Sequence, residues 1–124
     1  MKTNLKIQLI CTGNELLDGR VTNTNLPDIA SHLSSIGLHL TNCYIVSDDF
    51  QDLVSSIKLA SKTYDIIILT GGLGPTDDDR TTEAVCTAIN IKNEKNEQAL
   101  SHLTTFFSKR NRKMTPSNLK QAYL

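Results

Sequence analysis

The chain has 124 residues, of which 39% are hydrophobic and 21% are charged, and these values fit one domain with a modest core. Its 13 basic and 13 acidic residues balance, so no net field favours nucleic acid or an anionic membrane as a partner. No apolar run approaches the roughly 18 residues of a membrane span, and the three cysteines form no C-x-x-C pair, which argues against a zinc site or a disulfide framework.

The first predicted element is a strand. Residues 1–4 run directly into it and lack the tripartite form of a signal peptide, so we expect a cytoplasmic protein. Apolar and polar residues alternate from Leu5 onward, which indicates a strand that ends near Thr12. Cys11 and Cys43 lie in apolar, strand-like segments, where we expect buried and reduced thiols.

A helix and a second strand are predicted next. Apolar residues recur at helical spacing over residues 26–36. Thr24 or Asn25 can cap this helix, and Gly37 can end it. Residues 38–46 have the pattern of a second strand.

The third strand has the clearest pattern. Asp48 or Asp49 is expected to cap the helix that precedes it. The predicted buried stripe of that helix consists of Leu53, Val54, Ile57 and Ala60. Residues 64–70 are continuous and β-branched, as expected of a strand that is covered on both faces.

Three helical segments complete the pattern. One contains the apolar positions 84–89, another extends to about residue 109, and a short one begins at Pro116. Because strand and helix alternate three times, we expect a single α/β domain over residues 1–124 with a mostly parallel sheet.

The candidate site lies in the loops that follow the strands. Ligands of open parallel sheets bind outside the carboxyl ends of the strands. Three polar loops fall at those ends, at residues 12–25, 47–49 and 71–79. The sequence therefore predicts a ligand site where these loops meet.

The third loop is rich in glycine. Gly71, Gly72 and Gly74 allow a sharp turn and a close approach of backbone to ligand. The loop lies between a strand and a helix start, where free N–H groups favour an anion. It is neither a Walker A loop nor a dinucleotide fingerprint, because Asp77 stands where a third glycine belongs. The alternative is a tight turn without a ligand.

An acidic run, residues 77–79, follows the glycines. One aspartate can cap the next helix. The others either are solvated or hold a hard cation such as Mg²⁺, which takes one or two carboxylates together with water and phosphate oxygens. The residues alone leave both interpretations open.

The first loop also offers polar groups. Glu15 can join the carboxylates, and Asn23 and Asn25 carry amides that can contact hydroxyl groups or a base. For both asparagines the alternative is turn and cap chemistry.

These segments, in this order, resemble a known family. They read TGNELLDG at residues 12–19, VTNTN at residues 21–25, VSDD at residues 46–49 and LTGGLGPTDDDRTTEA at residues 69–84. The tail MTPSNLKQA at residues 114–122 matches as well. The chain resembles the N-terminal molybdopterin-binding (MoaB/MogA-like) domain of the CinA family of competence/damage-inducible proteins.

The resemblance implies a three-layer α/β/α sandwich with a mostly parallel sheet, forming a dimer or trimer. It implies hydrolysis of ADP-ribose to AMP and ribose 5-phosphate with a divalent cation, Mg²⁺, Mn²⁺ or Co²⁺. A non-catalytic module that binds molybdopterin or a nucleotide is the alternative, as is the molybdopterin adenylyltransferase reaction typical of MogA. The acidic end of the third loop favours the CinA branch over the adenylyltransferase.

The resemblance also implies site residues. It places Asp48 and Asp79 in catalysis, and it places a cation on some of Asp48, Asp78 and Asp79. The residues expected to bind the ligand or its phosphates are Thr12, Gly13, Glu15, Asn23, Asn25, Gly71, Gly72, Gly74, Thr76 and Thr81. Two departures stand out: Asn14 precedes Glu15 where relatives usually have another residue, and Leu124 falls before the family domain's last strand and helix, so we expect a domain that is cut short.

Overall fold

The computed structural model describes residues 4–124. The prediction about a signal peptide was made on residues 1–4, of which residues 1–3 lie outside the described part. Three parallel strands form one sheet in the order β2-β1-β3. The strands are β1 (Ile7–Thr12), β2 (Asn42–Val46) and β3 (Ile66–Thr70). The helices are α1 (Asn14–Leu17), α2 (Asn25–Ser35), α3 (Phe50–Ser61), α4 (Thr81–Ile89) and α5 (Glu97–Lys109), and a 3₁₀ segment spans Pro116–Ala122. The predicted α/β class and parallel sheet are confirmed.

The central strand β1 is buried along its whole length. Ile7, Leu9 and Cys11 point to one face of the sheet and Ile10 to the other, because side chains alternate along a strand. The chain runs from β1 to β2 in one direction and back across to β3 in the other. Right-handed crossovers therefore place α2 and α3 on opposite faces, which gives the three layers that the resemblance implied.

The core on the α3 side contains the predicted stripe. Leu53, Val54, Ile57 and Ala60 are all 2–4% exposed, as predicted. They form one cluster with Ile10, Val46 and Ala84. This packing fixes the carboxyl ends of β1 and β2 beside the start of α3.

Asp49 begins α3. Its carboxylate oxygen accepts hydrogen bonds from the backbone N–H groups of Gln51 and Asp52 at 2.9 and 3.0 Å. Of the two aspartates that were predicted as possible caps, Asp49 is therefore the one that caps α3. The carboxylate of Asp48 makes other contacts.

We predict that Asp49→Ala lowers the free energy of unfolding by about 1 kcal/mol, because two helix N–H groups lose their acceptor. Asp49→Asn keeps a side-chain oxygen and should lose much less. Urea unfolding followed by circular dichroism measures both variants. Equal losses for alanine and asparagine would contradict the capping role.

Two strand predictions were wrong in part. The second strand begins at Asn42 rather than at residue 38, because Leu38 still donates to Leu33 at the end of α2. The third strand begins at Ile66 and is not covered on both faces. Ile66 is 39% exposed and the rest of β3 is half-buried, because β3 is an edge strand within residues 4–124.

The helix starts also differ from the predictions. Thr24 is the N-cap of α2, but its side chain makes no cap hydrogen bond; Asn23 instead accepts from the backbone N–H of Leu26 at 3.2 Å. None of the three consecutive aspartates caps α4, whose N-cap is Arg80. The short helix α1 lies inside the predicted first loop, and its four residues are too few to show a periodic pattern.

The cysteines are free thiols, as predicted. Cys11 is buried, whereas Cys43 is only half-buried. Desolvation, followed by the proximity of Cys11, raises the pKa of the Cys43 thiol to about 11. Within residues 4–124, no helix is both long and apolar enough to cross a membrane.

Candidate functional site

The three predicted loops meet at one edge of the sheet. Thr12 pairs in register with Val46, and Cys11 pairs with Thr70, so the three strands end side by side. Because the strands are parallel, the loops after β1, β2 and β3 all leave from this edge. The predicted meeting of the three loops is thus confirmed, whereas ligand binding at this edge and the residues that contact the ligand stay predictions.

Asp48 joins the first loop to the second. Its Oδ2 accepts from the backbone N–H of Asn14 at 3.0 Å, and the Oδ1 of Asn14 accepts from the backbone N–H of Asp48 at 3.2 Å. Thr12 adds contacts from its hydroxyl to the Oδ1 of Asp48 at 3.3 Å and to the carbonyl of Ser47 at 3.2 Å. Asn14, the residue that departs from the family pattern, is therefore half of a reciprocal pair that holds Asp48.

The glycine loop packs directly on the first loop. Gly71 has φ 90°, and a Cβ there would collide with the carbonyl oxygen of Thr12. A Cβ on Gly72, with φ 62°, would collide with the hydroxyl of Thr81. That hydroxyl donates to the carbonyl of Gly71 at 2.8 Å, and the backbone N–H of Thr81 donates to the carbonyl of Gly72 at 3.1 Å. The loop conformation therefore requires glycine, and Thr81 holds it against the start of α4.

The acidic run folds back on Thr76. The backbone N–H of Thr76 donates to the Oδ2 of Asp79 at 3.0 Å, and its hydroxyl lies within hydrogen-bond distance of both Asp79 and Asp78. The Thr76 hydroxyl, aided by backbone N–H groups and the charge of Lys120, holds the pKa of Asp79 below its usual value. Asp79 is therefore ionised at neutral pH. Its carboxylate also lies close to Gly74, where a Cβ would collide with it.

The positions of the carboxylates show whether the site suits a cation. In the described part of the chain, no group of three or more His, Cys, Asp or Glu side chains is placed to hold a metal ion. Asp48, Asp78 and Asp79 are therefore not a closed protein cage. Asp78 and Asp79 nevertheless converge on one hydroxyl, and a hard cation needs only one or two carboxylates when phosphate oxygens and water complete its shell. The donor set fits an ion shared with a phosphorylated ligand.

Other predicted site residues have structural contacts. Asn23 uses both ends of its amide, since Oδ1 caps Leu26 and Nδ2 donates to the sulfur of Cys11 at 3.4 Å. Asn25 is the exposed first residue of α2. The carboxylate of Glu15 lies directly over Gly13, at the mouth of the first loop. Of these three side chains, only that of Asn23 forms hydrogen bonds within residues 4–124.

The tail of the chain supplies site residues that the sequence analysis missed. Lys120 donates to the carbonyl of Thr76 at 2.6 Å, and Gln121 donates to the carbonyl of Leu73 at 3.2 Å. A cleft of about 410 Å³ separates the glycine loop from this tail. Its lining comprises Gly72, Leu73, Gly74, Asp79, Thr82, Glu83, Asn93, Lys120, Gln121 and Leu124. The similarity of residues 114–122 to the family's sequence pattern was the signal that could have identified them.

Comparison with known proteins shows which family shares this fold. Residues 8–122 match the family model described as a probable molybdopterin binding domain. A solved structure of CinA from Thermoplasma acidophilum, described as having unknown function, superposes with a TM-score of 0.85 at 31% identity, covering 96% of this chain and 70% of that one. The chain belongs to the CinA family.

Two of its curated relatives are much longer than this chain. A CinA-like protein from Shewanella frigidimarina is 40% identical over 120 residues, which is 97% of this chain but 28% of the relative. A putative competence-damage inducible protein from Acetivibrio thermocellus is 39% identical over 120 residues, or 29% of that protein. The chain thus spans less than a third of the length of these curated relatives.

The molybdopterin biosynthesis enzyme MoaB from Thermus thermophilus shares the fold, with a TM-score of 0.66 at 20% identity over 96% of this chain and 72% of that one. This CinA-family chain therefore has the fold of MoaB.

Proposed function

We propose that this CinA-family domain hydrolyses the pyrophosphate of ADP-ribose to AMP and ribose 5-phosphate, with Mg²⁺, Mn²⁺ or Co²⁺ as its cofactor. The observation that supports the proposal most is the convergence of Asp78 and Asp79 on Thr76, directly beside a loop that only glycine can form. Ionised carboxylates and an anion-binding backbone in one place suit a diphosphate that arrives with a cation.

The glycine loop would bind the diphosphate. Because a Cβ on Gly72 or Gly74 would collide with the hydroxyl of Thr81 or the carboxylate of Asp79, only glycine lets the loop backbone lie this close to those groups. The N-terminus of α4 begins at Thr81, next to this loop, and its partial positive charge favours an anion. Lys120, which lines the same cleft and contacts the carbonyl of Thr76, adds a full positive charge.

Asp78 and Asp79 would hold the cation. The chemistry that a divalent cation supplies when bound is neutralisation of the diphosphate and a lower pKa for the attacking water. Because its pKa is lowered, Asp79 is a poor proton acceptor at neutral pH, and we assign it to charge and positioning.

Asp48 would accept the proton. It lies half-buried at the same edge of the sheet, where Asn14 and Thr12 fix its orientation. In the proposed reaction, water adds to one phosphorus, the bond from that phosphorus to the bridging oxygen breaks, and one proton of the water passes to Asp48. AMP and ribose 5-phosphate then each retain one of the two phosphate groups.

A non-catalytic molybdopterin-binding module is the second candidate. The description of the matching family as a probable molybdopterin binding domain favours it. The same loop edge would then bind a pterin phosphate without turnover. A homo-oligomer and a cytoplasmic location remain predictions under either candidate.

The deciding experiment follows AMP release from ADP-ribose by the purified chain with each of the three cations, and with EDTA as the control. We expect AMP and ribose 5-phosphate in equal amounts, and only when a cation is present. Binding of ADP-ribose without AMP release under any of these conditions would reject the enzyme and leave the binding module.

A further inference from the structure

A second cavity lies on the α3 face of the sheet, away from the three loops. It has a volume of about 280 Å³ and is lined by residues of β1, β2, α3 and the segment that leads into β3. Gln8, which lines it, precedes Thr12 by four residues in β1, and this spacing corresponds to roughly 13 Å along a strand. The cavity therefore lies toward the amino ends of the strands, and none of the candidate site residues lines it.

Gln8 is the polar group of this cavity that the core does not account for. It is 2% exposed and pairs in register with Asn42 on one side and with Ile67 on the other. Its side-chain amide forms no hydrogen bond with residues 4–124, and its two polar atoms nevertheless retain contact with solvent, unlike the shielded Oδ1 of Asn93. Buried amides are nearly always hydrogen-bonded. Because Gln8 lines the cavity, its amide faces that space without a protein partner.

The rest of the cavity wall is mainly apolar and aromatic. Ile10 and Ala60 are buried and contribute apolar surface. Tyr44 pairs in register with Ile10, so both side chains point to the α3 face, but Tyr44 lies on an edge strand and is 53% exposed. The hydroxyl of Tyr64 accepts from the Nδ2 of Asn42 at 3.2 Å, which holds the second aromatic ring in place. None of the residues that line the cavity is charged.

We propose that this cavity is a second ligand site, which binds a small uncharged ring compound that carries a carboxamide or an equivalent pair of N–H donor and carbonyl acceptor. The amide of Gln8 has both a donor and an acceptor, so it complements such a pair in either of its two orientations. A charged ligand is disfavoured, because its charge would lose water without gaining a counter-charge from the wall. The site is separate from the proposed hydrolysis and does not depend on it.

The two tyrosines favour a ring over water as the occupant. A buried water needs two to four polar partners, whereas this wall is mainly apolar. Tyr44 and Tyr64 offer aromatic surface on which a planar compound can pack. Leu59, which also lines the cavity, is 67% exposed and adds apolar surface that such a compound would cover. The volume lies near the lower limit for small-molecule sites, so a single ring with one polar substituent fits it.

Benzamide is the probe for the test, with acetophenone and benzoate as compounds of similar size. Acetophenone keeps the ring and the carbonyl but has no N–H donor, and benzoate is charged. Each compound is titrated into the whole ¹⁵N-labelled chain while the side-chain amide resonances of Gln8 are followed by NMR. We expect benzamide to shift these resonances with a Kd of about 1 mM, and to bind about tenfold more tightly than either of the other compounds.

Three variants test the wall of the cavity. Gln8→Leu removes the amide and should weaken benzamide binding by about tenfold, while the melting temperature stays the same or rises because a buried, unpaired amide is lost. Gln51→Leu is the matched control, since it makes the same chemical change at an exposed position at the other end of α3, and it should bind as the wild type does. Tyr44→Ser removes a half-exposed ring, which the fold tolerates, and should weaken the binding of both benzamide and acetophenone. It keeps the proposal testable if Gln8→Leu does not fold.

Several outcomes would overturn the proposal. These are equal binding of the three compounds, resonance shifts confined to residues outside the cavity, and unchanged benzamide affinity in Gln8→Leu or in Tyr44→Ser. Sedimentation of the wild type and of Tyr44→Ser examines a second copy of the chain as the occupant. A dimer that Tyr44→Ser dissociates would reject the small-molecule site. None of these measurements uses ADP-ribose, so a failure here leaves the proposed hydrolysis untouched, and a failure of hydrolysis leaves this site untouched.

Discussion

Asp79→Asn is expected to lower the rate of ADP-ribose hydrolysis by about tenfold or more, while leaving the fold intact. Asparagine has the shape of aspartate and keeps one side-chain oxygen, which can still accept from the backbone N–H of Thr76. What the variant removes is the negative charge. The comparison therefore isolates the charge that we assign to cation binding and positioning.

The expected decrease in the hydrolysis rate follows from the charge and the contacts of Asp79. Its pKa is lowered, so the wild-type side chain carries a full charge throughout the neutral range. Its carboxylate faces Gly74, in the loop that would bind the diphosphate. Loss of that charge should raise the cation concentration required for half-maximal rate as well as lower the rate itself. AMP release measured over a range of Mn²⁺ concentrations gives both quantities.

Asp77→Asn is the matched control. It makes the same chemical change two residues away in the same acidic run, at an exposed side chain. We expect its rate and its cation dependence to stay close to those of the wild type. If Asp79→Asn retains the wild-type rate, or if both variants lose activity equally, the assignment of Asp79 fails.

The meeting of the three loops at one edge of the sheet could be predicted from the sequence because it depends on local patterns and topology. The apolar stripe of α3, with Leu53 and Ile57, and the alternation of strand and helix determine a parallel sheet. A parallel sheet brings the loops after its strands to one edge. The three loops of the site needed no further information to be placed together.

The partners within the site could not be predicted, since they depend on contacts between distant segments. Asp48 and Asp49 have the same side chain, and only the path of the folded backbone determines their different partners. Asp49 caps α3, whereas Asp48 contacts Asn14, which is 34 residues away in the sequence. Lys120 reaches Thr76 across 44 residues. No local pattern encodes contacts of this range.

One interpretation of the acidic run was wrong for a related reason. Aspartate is a favourable N-cap, so one of residues 77–79 could have capped α4. Thr76 instead binds Asp78 and Asp79 within the loop, and Arg80 takes the cap position. The hydroxyl and the backbone N–H of Thr76 thus occupy a carboxylate that could otherwise have accepted a hydrogen bond from the start of α4. Such competition leaves these carboxylates in the loop rather than at the start of α4.

Gly71→Ala should produce the largest loss of stability among the loop variants. Gly71 has φ 90°, a conformation that side chains other than glycine rarely adopt, and a Cβ there would collide with the backbone carbonyl of Thr12. Backbone strain and collision together should lower the free energy of unfolding by about 2–4 kcal/mol. Because Thr12 ends the central strand, the loop rather than the strand must move, and ligand binding should fall below detection.

Gly37→Ala separates the two causes. Gly37 has a comparable φ of 79° at the end of α2, but a Cβ there would meet nothing within 4 Å. Its substitution should cost only the conformational part, about 1 kcal/mol, and leave ligand binding unchanged. Urea unfolding and ADP-ribose titration of both variants measure the difference. If Gly71→Ala costs no more than Gly37→Ala, the glycine loop does not need its close contact with Thr12, and the anion-binding conformation that we propose cannot depend on that contact.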